Sequence, residues 1–148
     1  MLSILSCRNL KENNSESLKW MSETTGIQIP DSIENKEFYN NHEWGMILKF
    51  RTSKKIFEKF CKANNMSRLH LDDLEMRLLN DIEKISLDEK LIKFPSNYLI
   101  FTDCKTGNSW TLLAHKNSRT IWLEVLYPDN NGDITLCRKK SVANKMYN

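Results

Sequence analysis

The chain is 148 residues long, 40% hydrophobic and 28% charged, with a formal net charge of +3, four glycines and three prolines. A chain of this length buries roughly two-thirds of its unfolded surface without metal or disulfide staples; its ordinary charged fraction excludes wholesale disorder, and its few Gly and Pro exclude collagen-like and low-complexity architectures. No apolar run reaches the ~18 residues of a membrane span. Arg138, Lys139, Lys140 and Lys145 carry the positive excess: without them the charge is −1, and the body offers no basic face for nucleic acid.

The first residues read Met1-Leu2-Ser3-Ile4-Leu5-Ser6-Cys7, followed by a polar stretch from Arg8 to Ser15. Ile4-Leu5-Ser6-Cys7 resembles the end of a bacterial lipoprotein signal peptide: aliphatic residues, a small residue, the cysteine that takes the lipid, then a polar tether. The resemblance covers about ten residues. It implies lipidation at Cys7 and an envelope location, with the membrane reached only through that anchor. No positive charge precedes the aliphatic residues and the apolar stretch is shorter than the usual 7–15 residues, so this reading expects an in-frame extension upstream of Met1. The alternative is a frayed tail with an incidental cysteine and a cytoplasmic protein. The tail spans 1–14, a single domain 15–137, and a basic C-terminal tail 138–148.

Within the domain, Ser15 caps a short helix that carries Leu18 and Met21 on one face and is stopped by Gly26. Residues 33–39 and 44–51 form a hairpin around Asn40-Asn41-His42, with Met46, Leu48 and Phe50 alternating against Ile47, Lys49 and Arg51. Thr52 or Ser53 caps a helix reaching about residue 64, striped by Ile56, Phe57, Phe60 and Cys61. A second amphipathic helix is expected over about 72–85, carrying Leu74, Leu78, Leu79 and Ile82, and an extended stretch over 90–94. Residues 98–103, 109–115 and 120–127 form a meander turning at 105–108 and 117–118, and a last edge strand is expected at 134–137 after the turn at 128–133. The pattern is α+β: two-layer, an antiparallel sheet of about five or six strands covered on one face by two or three helices.

The turn lengths set the register. Ala114 falls opposite Ile121, Leu112 opposite Leu123, Trp110 opposite Val125, and Phe101 and Leu99 opposite Leu112 and Ala114, all on one face. That face is the core. The other face mixes aromatic, aliphatic and polar groups, and its candidate binding surface is Tyr98, Leu113, His115, Trp122 and Glu124. A covering segment is the alternative, because large apolar patches are rarely left bare.

Catalytic patterns are missing from the sequence. The four scattered glycines cannot build a phosphate loop, and His42, His70 and His115 stand in no metal-ligand spacing. Cys7, Cys61, Cys104 and Cys137 form no close pair. Asp129, Asn131 and Asp133 lack the Gly and Glu that complete a calcium loop, so neither a metal nor a cofactor is expected. The expected function is a non-catalytic binding or interaction domain with a protein partner, either a lipid-anchored bacterial envelope protein or an immunity-type protein. The alternative is a small enzyme using His115, Glu124 or Cys104. A binding role expects Trp122 exposed beside polar groups, whereas an enzyme expects a cleft joining at least two of the His, Cys104 or acidic side chains.

Overall fold

The computed structural model describes residues 14–40, 45–69, 94–105 and 107–127. In chain order these form α1 (Asn14–Thr25), β1 (Glu34–Asn40), β2 (Gly45–Arg51), α2 (Lys54–Ala63), β3 (Ser67–Arg68), β4 (Tyr98–Lys105), β5 (Asn108–His115) and β6 (Thr120–Leu126). All pairings are antiparallel, in the order β1-β2-β6-β5-β4-β3, which gives an open six-stranded sheet in an α+β chain. The helix expected over 72–85, the stretch 90–93, the turn at 128–133, the strand at 134–137 and the C-terminal tail lie outside the described residues, as do Cys7, His42, His70 and Cys137.

The helix ends follow from local hydrogen bonding. Gly26 takes φ +73° just past α1 and donates its N–H to the Ser22 carbonyl at 2.8 Å, the left-handed stop that glycine adopts without strain. Thr25 secures the same end, donating its hydroxyl to the Met21 carbonyl and accepting the Ile27 N–H. At α2 the cap, expected at Thr52 or Ser53, is Ser53, whose Oγ accepts the Ile56 N–H at 3.4 Å. Asn64 closes the other end by donating Nδ2 to the Phe60 carbonyl at 2.9 Å.

The expected registers are the observed ones: Ala114 lies opposite Ile121, Leu112 opposite Leu123, Trp110 opposite Val125, and Phe101 opposite Leu112. The turns differ from expectation in length. β4 and β5 pair as far as Lys105 and Asn108, so their connection shortens to residues 106–107, with Gly107 at φ +88°. The β5–β6 connection widens to residues 116–119, with Arg119 at φ +56°. A rung gained or lost symmetrically about a turn changes loop length and leaves the register alone, which is why the pairing was readable when the loops were not. The two-residue β3 has no counterpart in the sequence pattern.

Register rows cross the sheet as Leu48-Leu123-Leu112-Phe101 and Phe50-Ile121-Ala114-Leu99. These rows share one hydrophobic cluster with Met21 of α1 and with Phe57, Phe60 and Cys61 of α2, and the Phe50 and Phe60 rings meet edge-on at 6.0 Å. The chain leaves β2 at one side of the sheet, runs through α2, whose Phe57, Phe60 and Cys61 join the cluster, and re-enters as β3 at the far edge.

Leu123 is fully buried at the centre of this cluster, so Leu123→Ala is expected to cost about 2–5 kcal/mol in urea unfolding. At Gly45 an added Cβ would stand 2.7 Å from the Val125 carbonyl oxygen, a backbone atom, so Gly45→Ala is expected to cost about 1–3 kcal/mol. Gly26→Ala meets no atom and should cost only the left-handed penalty of about 1 kcal/mol.

Candidate functional site

The five residues expected to form a surface do share one face of the sheet. Row by row it carries Thr120, His115 and Tyr98; then Lys49, Trp122, Leu113 and Ile100; then Ile47, Glu124, Thr111 and Thr102. Tyr98, Leu113, Trp122 and Glu124 are buried, Trp122 to 5% exposure, and His115 is half-buried. The exposure that a binding role required of Trp122 is therefore not present. Neither described helix belongs to this face: side chains of α1 and α2 join the opposite cluster. Among the described residues the buried indole N–H of Trp122 has no hydrogen-bond acceptor, nor has that of Trp110 on the other side.

His115 sits at the end of this face, where β5 enters its turn. Its ring lies against Tyr98, with centroids 4.6 Å apart. Ser118, three residues on, holds Nδ1 twice: its hydroxyl lies 2.7 Å away, and its backbone N–H donates at 3.4 Å. Because the backbone N–H can only donate, Nδ1 is an acceptor, which puts the proton of the neutral ring on Nε2. Ser118 Oγ also meets Thr120 Oγ1 at 2.8 Å. A hydroxyl at this distance from an imidazole is the spacing of a nucleophile and its base. Here the same nitrogen also closes the turn, so the contact is structural. Sequence reasoning passed over Ser118, although the i, i+3 spacing across a hairpin end was a signal for it.

The register does not bring the other residues of an enzymatic reading to His115. Cys104 is disulfide-bonded, so it is not the buried free thiol expected and carries no nucleophilic sulfur in this state. Glu124 pairs with Ile47 and Thr111 in the middle of the sheet, while His115 pairs with Thr120 at its end, so they form no dyad. Among the described residues no three His, Cys, Asp or Glu side chains converge as a metal site, and no helix is long and apolar enough to cross a membrane. Cys61 is a free thiol on the buried stripe of α2, and burial pushes its pKa up to about 11.

The β5–β6 turn is fixed to the start of α2 by reciprocal bonds. Arg119 donates Nε to the Thr52 carbonyl at 3.3 Å, the Thr52 N–H donates to the Arg119 carbonyl at 3.4 Å, and Arg51 Nε reaches the Ser118 carbonyl at 3.2 Å. Two cavities flank α2. One of about 580 Å³ lies against the 26–32 connection and is lined by neutral and mixed groups including Gln28, Asp31, Ile29 and Lys59. The other, of about 510 Å³, lies on the side of the turn. No protein-family model matches the chain, and comparison with curated proteins and with solved structures returns no match either.

Two measurements check these assignments. The Cys61 thiol has a folded pKa of about 11 against an ordinary value of 9.0, so it contributes stability that is complete below about pH 9 and lost as pH rises toward 11. Denaturant unfolding across that range should show the loss in the wild type and a flatter profile in Cys61→Ala. At Trp122, Phe keeps most of the ring and deletes the unsatisfied donor, so Trp122→Phe should cost less than about 1.5 kcal/mol, whereas Trp122→Ala should cost about 3–5 kcal/mol.

Proposed function

We propose that this chain is a non-catalytic interaction domain held at the oxidising side of a bacterial envelope by a lipid on Cys7. The disulfide at Cys104 is the observation that carries the reading, since such bonds persist in the periplasm and at cell surfaces and are rare in the cytosol. The hold of Ser118 on His115 and the separation of His115 from Glu124 along the sheet support a binding role over the enzymatic alternative. The finer architecture belongs to the same reading: α1 and α2 form one layer on the sheet, and Tyr98, Leu113, His115, Trp122 and Glu124 line the opposite side, with His115 as the member nearest solvent.

The reading makes a sharp demand on the cysteines. Cys61 is free, so the partner of Cys104 within the chain is Cys7 or Cys137. A sulfur that carries a lipid through a thioether cannot also enter a disulfide, so lipidation at Cys7 requires the pair Cys104–Cys137. Expression from the native locus should label the protein with radioactive palmitate and move it into the detergent phase of Triton X-114, and Cys7→Ser should abolish both. Non-reducing peptide mapping should link the peptides of Cys104 and Cys137. A Cys7–Cys104 link, or an unlabelled protein in the aqueous phase, overturns the proposal.

A further inference from the structure

One face of α2 turns toward the end of the sheet. Lys54, Phe57, Glu58 and Cys61 follow one another at i, i+3, i+4 and i+7, the spacing of a single helical stripe. Opposite them stand Leu99 of β4 and, from the β5–β6 turn, Lys116 and Arg119. Together they line the cavity of about 510 Å³, which lies within the range of small-molecule sites, roughly 300–1,000 Å³. The floor and the rim differ in character. Phe57, Cys61 and Leu99 supply an apolar floor, and the high pKa of Cys61 keeps that thiol uncharged at neutral pH.

Three cations, Lys54, Lys116 and Arg119, stand on the rim against one lining carboxylate, Glu58. Each cation is positioned by a contact that leaves donors to spare. Arg119 uses Nε on the Thr52 carbonyl, Lys116 donates Nζ to the Ser96 carbonyl at 2.7 Å, and Lys54 makes only a long exposed pair of 3.9 Å with Glu58. The cavity also borders the first two turns of α2, whose N-terminal dipole adds about half a positive charge. Like charges gathered around an apolar floor are relieved by an anion that also brings apolar surface.

We propose that this cavity binds a small anionic amphiphile, a medium-chain alkyl carboxylate, with its head among Lys54, Lys116 and Arg119 and its chain over Phe57 and Leu99. The site is independent of how the domain is anchored and of what else it binds.

The test is calorimetric titration of the full chain with decanoate, compared with decanol and acetate at equal salt. Decanoate should bind saturably at one site. Decanol should bind more weakly because it lacks the charge, and acetate more weakly because it lacks the chain. The double variant Lys54→Glu/Lys116→Glu should retain its melting temperature and bind decanoate at least about fivefold more weakly, the loss expected when two partly exposed charge interactions are removed. Lys19→Glu/Lys36→Glu changes the net charge equally at exposed positions of α1 and β1 and should bind as the wild type does. Amide chemical-shift changes should cluster at residues 54–61, 99 and 116–119. Absence of saturable binding overturns the proposal, as does equal binding of decanol or acetate, or equal weakening by both double variants.

Discussion

The alternation of side chains along β2, β6, β5 and β4, locked in one register, is the constraint on which the other features depend. In that register Leu48, Leu123, Leu112 and Phe101 lie side by side across four strands, with Phe50, Ile121, Ala114 and Leu99 as a second row. Because the period is two, a slip of one residue would turn both rows away and bring Lys49, Glu124 and Thr111 into the hydrophobic cluster. Apolar residues on one parity and polar or aromatic residues on the other make that slip costly, so the register holds although both flanking turns differ in length from those expected.

From that register follows the way α2 is held. Its buried stripe of Phe57, Phe60 and Cys61 needs the aliphatic rows beneath it, and its first turn is tied to the β5–β6 connection through Thr52 and Arg119. Arg119 adopts a left-handed backbone at φ +56°, a conformation that favours glycine, and its contacts with Thr52 offset the strain. The same tie carries Lys116 and Arg119 to the flank of α2. The charge arrangement there is thus a product of the hairpin's docking.

The opposite side of the sheet combines Trp122, Leu113 and Ile100 with Glu124, Thr111 and His115. Its membership was legible from parity alone. Its burial was not, because a mixed face has the same composition whether it meets a partner, a ligand or another part of its own chain. Nor was the commitment of individual groups. His115 looked like an isolated imidazole until Ser118 was seen to fold back on it, and Cys104 looked like an inert thiol because disulfide pairing depends on proximity in space and not on spacing in sequence.

The amino-acid sequence alone determined the α+β class, the stop at Gly26, a cap at Thr52 or Ser53, the parity of each strand and the pairing of the meander, because each rests on interactions between residues close along the chain. The order of strands, with β2 beside β6 and β3 at the far edge, was decided only by tertiary structure, as were the state of Cys104 and the gathering of Lys54, Lys116 and Arg119 around one cavity. Those features join residues about thirty to eighty positions apart. No local propensity encodes such meetings; they arise when burial of the shared apolar rows offsets the entropy of closing the long loops between them.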